Sequence, residues 1–304
     1  MSTDGDAAPP ICEHRLSPQA IAYKARRKPS VPIRMPDLTD HAAVANWRAA
    51  TNAMWGEDDN PAEPHRREVI GGIPCLAAGP SPGTDPPIAV YAHGGGYVLG
   101  SAAVAMPITA RLAASGLRVV SVDYRQPPEF PFPAALDDVL SVYLALAAGD
   151  SPVALAGDSS GGALALSAAV IAAAEGVPPA AVALLSPLLD HVSVPGNRLA
   201  DDEGRRLIDS YTGNANPADP RLSPLRAALG GLPPVLVQAA TDEPLAAQAR
   251  EFRRRAGAAG VAVTLDLWEG MWHTWQYHAL PEADEALAEA AGFLAAAFSP
   301  ADSR

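Results

Sequence analysis

Gly157-Asp158-Ser159-Ser160-Gly161 sets two adjacent serines between glycines and fits the pattern G-x-S-x-G centred on Ser159. Centred on Ser160 the pattern fails, because Asp158 stands where the first glycine belongs. A serine that attacks a carbonyl must present its Oγ on a sharp turn from strand to helix, and glycine on both sides permits the close backbone approach. The pattern alone arises by chance in roughly one chain in ten of this size, so its flanks decide its weight. PVALA before it reads as a strand and GALALSAAVIAAA after it as a helix. The bland alternative is a Gly/Ser turn that merely joins the two.

A tetrahedral acyl intermediate carries an oxyanion, which needs two or three backbone N–H groups aimed at one point. His93-Gly94-Gly95-Gly96 follows the apolar run IAVYA directly, and consecutive glycines let a loop turn its amides inward. The amide of Ser160, which follows the nucleophile, is the remaining candidate donor. The Ser160 side chain has no part in this reading.

The serine also needs a base, and the base a carboxylate that orients it. Seven histidines compete: 14, 41, 65, 93, 191, 273 and 278. His93 belongs to the glycine loop, where a structural hydrogen bond is its expected job. His273 lies in Glu269-Gly270-Met271-Trp272-His273, after the last predicted strand and a glycine turn, and is the candidate base; His278 is its rival. The run VLVQAA leads into Thr241-Asp242-Glu243, which makes Asp242 the candidate acid and Glu243 the alternative. A plain helix N-cap is the competing reading of Asp242.

These residues need a scaffold that gathers strand ends. Short apolar runs (IAVYAHGGG, LRVVSVDY, PVALAGDSS, AVALLSP, PVLVQAATD, VAVTLDLWEG) alternate with Ala- and Leu-rich helical stretches, which predicts an α/β domain around a mostly parallel sheet. HAAVANWRAATNAMW (41–55) has helical spacing with Asp40 as a plausible cap. The interval 190–232 has no clear strand; it reads either as an insertion over the sheet's C-terminal edge or as a long connection with one helix.

The 304 residues carry a net charge of −12, with 48% apolar and 18% charged residues. That is an ordinary globular balance with no basic stripe, so nucleic acid is not an expected partner. Cys12 and Cys75 stand far apart with no second Cys or His beside them, which predicts neither a disulfide framework nor a CxxC metal site. MSTDGDAAPP does not read as a secretory signal, and the longest apolar run, 163–174, is too short to span a bilayer. A cytoplasmic protein without a membrane partner is expected.

Taken together, YAHGGGYVLGS, VDYRQPPEFPFPAALDD, AGDSSGGALAL, LLSPLLD, DPRLSPL, GLPPVLVQ and GMWHTWQ resemble the hormone-sensitive-lipase-like branch of the α/β-hydrolases. The similarity covers about 88–276. It implies an α/β-hydrolase fold with a helical cap, Ser159 as nucleophile, Asp242 as acid and His273 as base. It implies main oxyanion donors at Gly95, Gly96 and Ser160, with Gly94 helping to shape the loop. A cap segment is expected over 1–60 and a catalytic domain over 61–304, with 190–232 as a cap insertion. Ser160 replaces the family's usual alanine, and TDEPLAA replaces its D-P-L-x-D.

The resemblance implies hydrolysis of short to medium acyl esters of small molecules through an acyl-enzyme, with no metal or cofactor required. Trp47, Trp55, Trp272 and Trp275 are candidate pocket walls. The motifs do not separate esters from amides, N-acetyl groups or lactones, nor hydrolysis from acyl transfer in a cyclase. A ligand-binding receptor on the same fold is the reading from another class.

Overall fold

The structure is a computed structural model that describes residues 16–26, 35–56, 65–81, 83, 86–149, 151–193 and 202–298, without the side chains of 202–205. Cys12 and His14 lie outside the described residues, as do parts of both expected cap segments. A hairpin of β1 (Arg66–Ile70) and β2 (Ile73–Ala78) opens one edge of the sheet, turning through Gly71-Gly72. Six strands follow: β3 (Ile88–Ala92), β4 (Arg118–Val122), β5 (Val153–Asp158), β6 (Val182–Leu185), β7 (Val235–Ala240) and β8 (Val263–Trp268). All six lie parallel, and β2 pairs antiparallel with β4, in the order β1-β2-β4-β3-β5-β6-β7-β8.

The parallel strands match the six apolar runs because they are covered on both faces, so that β3, β4, β5, β6 and β7 are buried at every position. Alternate residues serve opposite cores. Val90, Val120 and Leu155 face α4 (Ala134–Ala147), α5 (Ser159–Ala174) and α7 (Ala246–Ala258). Ala89, Tyr91 and Val119 face α3 (Met106–Ala113) and α8 (Pro281–Ala296). Two helices precede the sheet, α1 (Pro18–Arg26) and α2 (His41–Gly56), and α6 (Asp202–Thr212) lies in the interval after β6.

The strand order fixes where a site can form. From β3 the chain crosses to β4 on one side, then returns past β3 to β5 on the other. The order reverses there, and the crevice outside the C-terminal ends of β3 and β5 is the place where open α/β sheets bind ligands. HGGG follows β3 and Ser159 follows β5, so topology alone brings the two motifs together.

On α8, Glu289 is largely exposed but lies beside Asp266 of β8; partial desolvation and this neighbouring carboxylate push the Glu289 carboxyl up to about 7. A carboxyl whose folded value is raised supports folding fully below its unfolded value and loses that support as pH rises through about 7. Glu289→Gln should therefore flatten the decline of Tm between about pH 5 and 8. An unchanged slope in thermal denaturation would refute the pairing.

Candidate active site

β5 passes into α5 with no residue between them: Asp158 is extended (φ −116°, ψ 147°) and Ser159 turns left-handed (φ 50°). That reversal lifts Ser159 onto the helix N-terminus. A Cβ at Gly161 would lie 2.1 Å from Ala92 O, and one at Gly157 would lie 2.5 Å from Gly161 O. Both positions therefore demand glycine for close approach, as the motif predicts.

The loop after β8 carries His273 to this turn. Its anchors are apolar and polar together: Met271, Trp272 and Trp275 are buried with Trp268 and Ala20, and Tyr23 of α1 stacks on Trp272 (5.3 Å, 11°). Lys24 Nζ donates to Gly270 O (2.8 Å), and Thr274, itself left-handed (φ 56°), donates its N–H to Ser186 Oγ (3.2 Å). The outcome is a hydrogen-bonded line: Ser159 Oγ lies 3.0 Å from His273 Nε2, and His273 Nδ1 lies 2.7 Å from Glu243 Oε2.

The carboxylate is thus not the expected one. Asp242 is exposed and takes a bond from its neighbour Thr241 Oγ1 (3.2 Å). The chain turns directly after β7, and that turn sends Asp242 to solvent and Glu243 inward. The Glu243 side chain is fully buried; its Oε1 accepts the Ala240 N–H (3.0 Å) while Oε2 meets the imidazole. Nor does Asp242 cap a helix, since α7 has Leu245 as its N-cap.

His278 is placed away from the serine, 3.0 Å from Tyr23 Oη. His65 Nε2 lies 3.2 Å from Thr109 Oγ1. His93 is fully buried with Nδ1 2.8 Å from Gly94 O, and burial pushes its imidazole down to about 4, so it serves as a neutral strut. Trp275 is core, Trp272 is buried in the His273 loop and Trp55 is exposed.

The glycine loop is fastened to Asp158. Oδ1 of this fully enclosed carboxyl accepts Tyr91 Oη–H (2.7 Å), Tyr277 Oη–H (3.1 Å) and the Gly94 N–H (2.9 Å). Burial raises the Asp158 carboxyl to about 6 even against these donors. With its N–H engaged, Gly94 shapes the loop and donates nothing to the site. Among the described residues no acceptor meets the N–H groups of Gly95 and Gly96, and that of Ser160 is a first-turn amide with no partner inside its helix. The Ser160 side chain, given no part above, accepts the Tyr97 N–H (3.2 Å). Sequence reasoning missed Asp158, Tyr97 and this hydroxyl.

Among the described residues no group of three or more His, Cys, Asp or Glu side chains is arranged to hold a metal, and no helix is long and apolar enough to cross a membrane. A cleft of about 200 Å³ lies behind α5, lined by Val170, Ile171, Arg221 and Arg226 among others. It shares no residue with the Ser159 line, and its arginines are paired with Asp219 and Asp190.

Known proteins resemble this chain in sequence and fold. The model of a family described as having the α/β-hydrolase fold matches residues 89–277. An acetyl-hydrolase of Streptomyces hygroscopicus is 37% identical over 67% of this chain and 74% of its own. An esterase of Acinetobacter venetianus is 35% identical over 67% and 73%. The crystal structure of an esterase from the bacterial hormone-sensitive lipase family superposes with a TM-score of 0.77 at 34% identity, over 92% of this chain and 96% of that one.

Proposed function

The chain belongs to the α/β-hydrolase family, in its hormone-sensitive-lipase-like branch, and from that premise we propose that it hydrolyses carboxylic esters of small molecules through Ser159, His273 and Glu243. The observation that carries the reading is the unbroken line from Ser159 Oγ through the imidazole to the buried Glu243 carboxylate. With Nδ1–H donated to Glu243, Nε2 is left bare to accept the Ser159 proton. Oγ then attacks the ester carbonyl, and the Gly95, Gly96 and Ser160 amides receive the oxyanion. The imidazolium, stabilised by Glu243, returns its proton to the departing alkoxide, which leaves as alcohol. A water gives its proton to Nε2, adds to the acyl-enzyme and releases the acid, restoring Ser159.

Within the expected cap segments, the described helices α2 and α6 act as a cover over this edge. Arg48 of α2 donates to Val98 O (2.8 Å), and Asn52 exchanges hydrogen bonds with Gly100, so α2 holds the chain just beyond the glycine loop. From α6, Leu207 crowds the last glycine of the loop, its Cδ1 3.2 Å from where a Cβ on Gly96 would lie. An apolar side chain that close to the oxyanion site supports a small acyl group, as does the name of the acetyl-hydrolase relative.

Nitrophenyl esters from acetate to dodecanoate should show turnover that peaks at short to medium chains. Rapid quenching should trap one acyl group on the peptide that holds Ser159. An acyl group found on another residue, or no turnover at any length, would remove the reading.

A further inference from the structure

Tyr97 follows Gly96 directly and sits at φ 69°, a left-handed conformation that is strained for a bulky side chain. It is 1% exposed. Three separate contacts hold it. Its N–H donates to Ser160 Oγ at 3.2 Å, its hydroxyl lies 2.8 Å from His191 Nε2, and its ring stacks on Tyr211 of α6 with centroids 3.8 Å apart and planes 10° apart. Tyr211 in turn meets the edge of Phe132 at 5.9 Å and accepts the Phe132 N–H on its carbonyl (2.8 Å).

His191 is itself buried, and its backbone N–H donates to Ser223 Oγ at 2.9 Å. Burial pushes its imidazole down to about 4, so it meets Tyr97 as a neutral ring. Its Nδ1 has no partner among the described residues, which leaves the Tyr97 hydroxyl as the hydrogen bond of that ring. These contacts run in different directions from one residue: to the nucleophile's helix, to the start of the 190–232 interval and to α6.

We propose that Tyr97 is a positioning residue that ties the Gly95 and Gly96 amides to α5 through Ser160 and to the covering segment through His191 and Tyr211. A strained backbone persists where its surroundings over-determine it, and oxyanion donors act only when held at hydrogen-bond distance from the developing charge. Ser160 thereby has two parts: its amide faces the oxyanion, and its hydroxyl fixes the residue that follows the other donors. An alanine there would leave the Tyr97 N–H without that acceptor.

The inference rests on the serine-hydrolase reading, and its test separates the two. Tyr97→Phe keeps the ring stack and removes the hydroxyl; Ser160→Ala keeps the amide donor and removes the acceptor. Each should lower kcat about tenfold with KM within about twofold of wild type. Each should also weaken a trifluoromethyl ketone, whose adduct on Ser159 bears an oxyanion, by the factor lost in kcat, while a competing product alcohol binds as before. His191→Phe should match Tyr97→Phe, and the double variant should be no worse than either.

If Tyr97→Phe leaves kcat and ketone affinity within about twofold of wild type while Ser159→Ala is inactive, the positioning role falls and the hydrolase reading stands. Equal weakening of ketone, alcohol and substrate would also overturn it, as general damage to the site. If Ser159→Ala keeps its turnover, the hydrolase reading falls and this inference with it.

Discussion

Glu243→Gln should lower kcat about 10⁴-fold, whereas Asp242→Asn should stay within about twofold of wild type. The asymmetry comes from what holds Glu243 in place. Its Oε1 accepts the buried Ala240 N–H at 3.0 Å and its Oε2 faces His273 Nδ1 at 2.7 Å. An amide at 243 must keep its carbonyl oxygen on the Ala240 N–H, which turns its NH₂ group toward the imidazole. That group donates, so the imidazole would hold a bare Nδ1 and carry its proton on Nε2. In that tautomer it cannot take the Ser159 proton. Asp242, exposed and bonded to Thr241 Oγ1, exerts no such control.

Because the three groups act as a unit, Ser159→Ala and the pair Ser159→Ala with Glu243→Gln should share one residual rate. Steady-state hydrolysis of nitrophenyl acetate by wild type and the four variants checks the ranking. Loss of activity in Asp242→Asn with retention in Glu243→Gln would return the acid role to Asp242.

Much of this arrangement is legible in the residues, and the misses have physical causes. The six parallel strands announce themselves as apolar runs because helices cover both faces of the sheet. The edge hairpin does not: Arg66–Ile70 alternates half-buried and exposed positions, and Ile73–Ala78 contains a proline. The Gly-Gly pair between them is its readable signal. Ser159 and His273 were legible because each sits where a strand ends beside glycine. Choosing between Asp242 and Glu243 demands the path of the turn after Ala240, and adjacent residues at a strand end point to different sides. The turn sends the longer carboxylate inward, where it reaches two partners at once. The Ser160 hydroxyl was hidden for another reason: its partner is the backbone of Tyr97, 63 residues away in the chain, and no spacing rule connects the two.

Gly95→Ala tests the other half of the chemistry and should lower kcat by about 10²–10³. Gly95 sits at φ 122°, outside what an L side chain readily adopts, and its added Cβ would lie 2.2 Å from Leu99 O. That carbonyl is fixed from elsewhere by Gln126 Nε2 (2.9 Å), while Leu99 N–H donates to Gly95 O itself (2.9 Å). The loop has to yield, and its N–H groups at 95 and 96 move with it. The line from Ser159 to Glu243 lies on other elements, β5–α5, the β8 loop and the β7 turn, and keeps its geometry.

The expected signature is therefore a loss in kcat and in trifluoromethyl ketone affinity by a common factor, with product-alcohol binding retained. Gly257→Ala is the matched control: it lies in α7 with open space around its Cβ, and alanine there should support the helix by up to about 1 kcal/mol. If Gly95→Ala instead kept kcat within about threefold while folding as well as the control, stabilisation of the oxyanion would have to come from the Ser160 amide alone, and the glycine loop would be architecture without a share in the chemistry.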